Sequence, residues 1–203
     1  MKIICVGRNY VAHAIELNNP VPEEPLIFLK PSTALLREGK AFYIPEFTKD
    51  VHYELELVVK ICKNGKHVEK EFASSYYDEV TLGIDFTARD VQSRLKSKGH
   101  PWEIAKAFDY SAAVGKWIPF TEEMKAKPLS FTMHQNNELV QEGSTDHMIF
   151  SIDDLIVHMS RYFKLQYGDL IFTGTPAGVG PIKIGDQYQG YLGDQKLLDC
   201  SIK

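Results

Sequence analysis

With 203 residues, 44% of them apolar, and no low-complexity tract, the chain can bury one substantial core, and a single domain over residues 1–203 is expected. The formal net charge is −4, from 23 basic and 27 acidic residues interspersed along the chain, so no extended basic stripe is available to neutralise a phosphate backbone and nucleic acid is excluded as the expected partner. Met1 to Val6 is too short an apolar run for a signal or membrane segment, and Cys5, Cys62 and Cys200 are far apart with no CxxC or Cys-His spacing; reduced thiols in a cytoplasmic protein with no membrane contact are expected.

The N-terminal strand ends at Gly7-Arg8-Asn9, and Tyr10 to Leu17 reads as a short helix with Val11, Ala14, Ile15 and Leu17 on its apolar side. Pro20, Pro22 and Pro25 bracket an extended piece before Leu26-Ile27-Phe28-Leu29, a buried strand closed by Lys30-Pro31-Ser32. Phe42 to Ile44 reads as a further strand, and Tyr53 to Ile61 as another that closes at Asn64-Gly65, a hairpin signal into Lys66 to Lys70. Ser74 to Asp78 suggests a helical turn. Val80 to Phe86 reads as a strand with Leu82, Ile84 and Phe86 on one face and Asp85 on the other. Thr87 with Asp90 resembles a capping box for a helix over Ala88 to Lys98 that ends at Gly99, and Ser151 with Asp154 repeats the signature for Ser151 to Phe163. Gly168-Asp169 turns the chain into Leu170 to Thr173. Strands and helices do not alternate regularly, so an α+β fold with a large β component is expected rather than a doubly wound sheet.

In Tyr53-Glu54-Leu55-Glu56-Leu57-Val58-Val59 the period of two sends both carboxylates to one face and Leu55, Leu57 and Val59 to the other. Like charges side by side on a strand repel, and a divalent cation is the simplest compensation. An isolated Glu-x-Glu more often marks a solvated strand face, and Asp85 alone is as commonly a strand-end aspartate. If Glu54, Glu56 and Asp85 converge, they form an all-oxygen site suited to Mg²⁺, Mn²⁺ or Ca²⁺ with coordination positions left for substrate. His13 and Glu16 stand at i and i+3, the pairing a general base needs, on a segment whose Pro-rich flank suits a lid; an exposed surface pair is the plainer alternative. Lys106, between Ala105 and Ala107, has the surroundings of a snorkelling surface lysine. The loop Gly174 to Pro181 could bring backbone N–H groups and the Thr175 hydroxyl to an anion, or serve as a structural turn.

Together, Gly7-Arg8-Asn9-Tyr10 with His13 and Glu16, Phe28-Leu29-Lys30-Pro31-Ser32, Glu54-Leu55-Glu56-Leu57, Asp85-Phe86-Thr87-Ala88-Arg89-Asp90, Lys106 and Thr173-Gly174-Thr175-Pro176 resemble the fumarylacetoacetate hydrolase family, close to its short, single-domain acylpyruvases and oxaloacetate decarboxylases. The resemblance implies a β-rich roll of mixed sheets with a few short helices, usually dimeric, in which Glu54, Glu56 and Asp85 hold Mg²⁺ or Mn²⁺. It also implies that His13 and Glu16 form the water-activating pair, that Lys106 stabilises oxyanion and enolate charge, and that Arg8, Gln92 and Thr175 contact substrate oxygens. The closing stretch, Tyr191 to Leu197, matches only loosely, and with Met1 to Gly7 already reading as part of the catalytic core the additional N-terminal domain of the longer hydrolases is not expected, so fumarylacetoacetate itself is a poor candidate substrate. The function expected is metal-dependent cleavage of a C–C bond in a 2-oxo acid, by acylpyruvate hydrolysis or oxaloacetate decarboxylation. An isomerase or keto–enol tautomerase of 2-oxo acids could use the same site. A non-catalytic metal-stabilised binding protein has no need of His13, Glu16 and Lys106, and a carboxylate-metal nuclease lacks a basic groove.

Overall fold

The structure, a computed structural model, describes residues 1–16 and 20–203. Its centre is an eight-stranded mixed sheet in the order Leu26–Lys30, Ile3–Gly7, Leu170–Phe172, Leu55–Ile61, Tyr77–Asp85, Ala112–Val114, Leu35–Leu36, with Ile118–Pro119 also paired to Tyr77–Asp85. Ile3–Gly7 runs parallel to Leu170–Phe172, and Leu35–Leu36 parallel to Ala112–Val114; the other pairs are antiparallel. A four-stranded antiparallel sheet, Glu138–Ser144, Ser130–Gln135, Gln187–Leu192 and Gln195–Ser201, packs on it, and a small sheet joins Gly180–Pro181, Val51–Tyr53 and Thr87–Ala88.

Alternation explains the layering. Leu55, Leu57, Val59, Leu82 and Ile84 point into one core with Phe131, Tyr188 and Leu198 of the four-stranded sheet, while Val58, Cys5 and Phe172 point into a second cluster on the opposite face. The expected mixed-sheet α+β roll is therefore the fold observed. Cys5 and Cys200 are buried and Cys62 half-buried, all three unpaired; burial pushes the Cys200 thiol up to about 12. Among the described residues no helix is long and apolar enough to cross a membrane.

Several local expectations are corrected by tertiary contacts. The first helix spans Val11–Glu16 and buries His13 and Ala14, whereas Val11 and Ile15 are exposed, so its inward face is half polar; Leu17 lies outside the described residues. Leu26–Lys30 is a half-buried edge strand in which Lys30 is the buried member. Phe42 to Ile44 forms no strand: Phe42 makes a single bridge to Ile202 and stacks on Phe86 at 3.9 Å. Asn64-Gly65 starts no hairpin, because Gly65 bridges Leu165 and Asn64 accepts from the Tyr167 amide. The capping box at Ser151 and Asp154 forms on helix Ile152–Tyr162, but Thr87 and Asp90 form none. The helix there is Arg89–Ser97, and Asp90 is taken by the Thr48 hydroxyl and the Lys49 amide.

Asn9 ties the start of the first helix to the body. Its amide donates to Phe150 O (3.0 Å) and Thr173 O (2.8 Å), and its Oδ1 accepts from Phe150 N (2.8 Å). Asn9→Ala strands buried backbone groups and should cost about 3 kcal/mol, a fall in Tm of about 6–12 °C by scanning calorimetry.

Candidate active site

Glu54 occupies the one-residue break between strands Val51–Tyr53 and Leu55–Ile61, and Glu56 lies inside the second. Leu55 pairs with Ile84 and Glu56 with Gly83, and the Asp85 amide donates to Glu54 O at 2.8 Å, so the carboxylate ending the neighbouring strand falls beside the other two. All three are buried, and each offers one oxygen within 4.8 Å of the others. The period-two reading of this strand is thus met, with the carboxylates inside rather than on a solvated face.

Three cations surround them. Lys106, only 3% exposed rather than snorkelling, donates to Glu54 Oε2 (2.8 Å), Asp85 Oδ2 (2.8 Å) and Thr87 Oγ1 (2.6 Å). Arg89 donates to Glu54 Oε1 at 2.6 Å and to Gln92 Oε1 at 2.8 Å. Lys30 lies 2.7 Å from Asp85 Oδ1, yet its donors are directed to Lys106 O, Ser111 O and Ser111 Oγ, and Asp85 Oδ1 receives no hydrogen bond. Lys30 and Arg89 lay inside the motifs of the sequence without a local pattern that marks them as partners.

Burial raises the Glu54 carboxyl, but the Lys106 ammonium, then Arg89 and His13, overcome it and hold the group below the usual carboxylate range. Burial, followed by the charges of Asp85 and Glu54, pushes Glu56 well above that range against the Gly174 amide and Lys106. Burial lowers Lys106, but Asp85 and Glu54 outweigh it and raise it. A cluster of carboxylate oxygens alone, one of them lacking a donor and another disfavoured as an anion by its neighbours, fits a hard divalent cation.

Above the cluster, His13 Nδ1 lies 3.2 Å from Glu16 Oε2, and Glu16 Oε1 accepts from Gly178 N at 3.0 Å. The Gly-rich loop directs its amides at the protein's own carboxylates: Gly174 N donates to Glu56 Oε2 at 2.7 Å. Gly174 has φ +99, and a Cβ there would stand 2.6 Å from that of Asn9. Gly178 has φ +98, and its Cβ would stand 2.5 Å from Val140 O. Thr175 Oγ1 accepts from Gln141 Nε2 (2.9 Å), and Gln141 Oε1 accepts from Leu55 N (2.9 Å), a bracing residue that no sequence pattern flagged.

Arg8, His13, Glu54, Gln92, Lys106 and Thr175 share one cavity of about 30 Å³. Glu56, Asp85 and Glu16 stand immediately behind through the contacts above. All nine residues expected at the site are therefore gathered there. A much larger, mainly apolar cavity, about 820 Å³, lies between Leu29, Phe47, Ile104 and Phe108, with Arg94 and Glu103 also lining it, and it holds none of the acidic cluster. The small cavity is tight, with room for a few waters.

The sequence pattern of the family described as Fumarylacetoacetate (FAA) hydrolase C-terminal matches residues 2–203. The chain is 44% identical over 187 residues to the mitochondrial oxaloacetate tautomerase FAHD1 of Bos taurus, covering 92% of this chain and 85% of that protein. It is also similar to the crystal structure of a fumarylpyruvate hydrolase from Pseudomonas aeruginosa in complex with Mn²⁺ and pyruvate, with a TM-score of 0.92, 36% identity, and coverage of 100% of this chain and 89% of that one. A 5-carboxymethyl-2-hydroxymuconate delta-isomerase from Mycobacterium smegmatis matches with a TM-score of 0.86 and 33% identity, over 99% of this chain and 78% of that one.

Proposed function

The chain belongs to the fumarylacetoacetate hydrolase family, and from that premise we propose that it is a divalent-cation-dependent enzyme that interconverts the keto and enol forms of oxaloacetate. The observation that carries the reading is the shared cavity: the His13 imidazole, tied to Glu16, and the Lys106 ammonium, tied to Glu54 and Asp85, face one small space. The activity named for the 44% identical bovine relative supports oxaloacetate as the substrate.

Glu54, Glu56 and Asp85 would hold Mg²⁺ or Mn²⁺, which when bound would supply Lewis-acid polarisation of the substrate's carboxylate and 2-oxo oxygens. A Glu16 carboxylate only accepts, so the imidazole proton sits on Nδ1 and Nε2 is the nitrogen that takes the proton from C3 and passes it to the 2-oxo oxygen to give the enol, or carries it from the enol hydroxyl to C3 in the reverse direction. Lys106 holds the negative charge that develops on the 2-oxo oxygen as C3 loses its proton. Arg8, Gln92 and Thr175 orient the carboxylate oxygens. The Val11–Glu16 helix is a lid, latched by the Gly178 amide on Glu16, that excludes water while the proton is in transit. The unpaired thiols accord with a reducing compartment, and the exposed Phe47 and Ile104 beside the large apolar cavity accord with a homodimer.

Similarity to the fumarylpyruvate hydrolase favours a second reading, C–C cleavage. There His13 would deprotonate water for attack on the distal carbonyl of an acylpyruvate, whereas loss of CO₂ from oxaloacetate needs no such water. The readings separate when enol-oxaloacetate is supplied and enol loss and pyruvate release are followed independently. Enol loss that far outruns pyruvate, stops with chelator and returns with Mn²⁺ or Mg²⁺ is expected. Pyruvate released as fast as enol disappears would make cleavage the activity, and metal binding without turnover of any 2-oxo acid would leave a binding protein.

A further inference from the structure

The cations lining the cavity are of two kinds. Arg89 and Lys106 are bonded to Glu54. Arg8 and Lys96 line the same cavity, and among the described residues neither has a carboxylate within 4.0 Å or a side-chain hydrogen bond. Lys96, in the last turn of helix Arg89–Ser97, is half-buried and held 5.5 Å over the Trp102 ring, another wall of the cavity. Arg8 is held with φ +59, a left-handed conformation that costs a non-glycine residue about 1 kcal/mol, at the point where the first strand gives way to the lid. Burial, then the charges of Arg8 and Arg89, depress the Lys96 ammonium against the pull of Glu54, which is already bonded to Arg89 and Lys106, so Arg8 and Lys96 are like charges near one another with no carboxylate bonded to either.

We propose that Lys96, together with Arg8, forms a subsite for a second carboxylate, and so selects dicarboxylic 2-oxo acids over monocarboxylic ones. The inference deepens the oxaloacetate reading and rests on it: the 2-oxo acid end lies toward Glu54 and Lys106, and the distal carboxylate meets the unpaired cations that line the same cavity. An anion there relieves the repulsion between Arg8 and Lys96 and forms charge-assisted hydrogen bonds with both, while the Trp102 ring under the ammonium helps fix its place.

L-Malate and 2-hydroxybutyrate share a 2-hydroxy acid head and differ in the distal carboxylate, which makes them stable probes for calorimetric titration of the Mn²⁺-loaded protein. The wild type should bind malate at least about tenfold more tightly than 2-hydroxybutyrate, the value of one charge-assisted hydrogen bond. In Lys96→Met, which keeps the contact with Trp102, the ratio should fall to within about twofold, and Lys96→Arg should preserve it. A wild type with no preference, or a Lys96→Met ratio unchanged from wild type, overturns the subsite, as does an equal loss for both ligands, which marks a merely structural lysine. If the ratio collapses as expected but the wild type turns over no oxaloacetate enol, the subsite stands and the tautomerase reading falls; turnover with an unmoved ratio means the reverse.

Discussion

Replacement of Lys106 by methionine should destabilise the metal-free protein by about 3–5 kcal/mol, lower its Tm by about 6–20 °C, and make its stability far more dependent on added Mn²⁺ than that of the wild type. One ammonium serves Glu54, Asp85 and Thr87, all buried, and methionine fills a similar volume without a donor. Glu54 would keep Arg89, but Asp85 would keep only Lys30, whose donors are directed elsewhere. The result is uncompensated charge in a low-dielectric interior, the costly way to break a buried pair. A divalent cation on the same carboxylates returns the missing charge, so melting with and without Mn²⁺ should separate more widely in the variant. Turnover of enol-oxaloacetate should still fall about 10²–10³-fold in saturating Mn²⁺, because the positive charge beside the developing oxyanion is gone. A variant that melts like the wild type, with no added response to Mn²⁺, would show that Lys106 does not neutralise the cluster.

The acidic cluster was legible because a strand imposes a period of two: one break at Glu54 leaves Leu55, Leu57 and Val59 in the core and Glu56 on the opposite face, and Asp85 falls beside it through register. Lys106 could not be read that way. Its partners Glu54 and Asp85 are 52 and 21 residues distant, and its neighbours Ala105 and Ala107 carry no charge that announces them. Thr87 and Asp90 mimic a cap locally, but a buried ammonium claims the Thr87 hydroxyl and Thr48 claims Asp90, and these bonds outweigh a cap worth about 1 kcal/mol. Phe42 to Ile44 has strand composition yet finds only the C-terminal residues to pair with, and aromatic stacking on Phe86 fixes it instead. Arg89, Gln141 and Lys96 have no pattern in one dimension; they join the site only when Glu54 is brought to Arg89, Leu55 and Thr175 to Gln141, and Arg8 to the cavity that Lys96 lines.

The sharpest examination of the proton-transfer assignment comes from Glu16 rather than from His13 alone. His13→Ala should slow enol–keto interconversion by about 10²–10⁴-fold, the usual worth of a positioned acid–base group. That loss by itself does not distinguish a base from a lid residue, since His13 is also a buried residue of the lid helix itself. Glu16→Gln does. The glutamine oxygen can still accept from Gly178 N, so the latch is retained, but its NH₂ now meets His13 Nδ1 and donates to it. That moves the imidazole proton to Nε2, the nitrogen that must be bare to take a proton from C3. A geometrically intact variant would then carry the wrong tautomer, and its kcat should fall about 10²-fold with malate affinity and Tm close to wild type. Glu16→Ala, which gives up the latch as well, should weaken malate binding in addition. If Glu16→Gln keeps near-full kcat, the proton does not pass through His13 Nε2, and another group lining the cavity must move it.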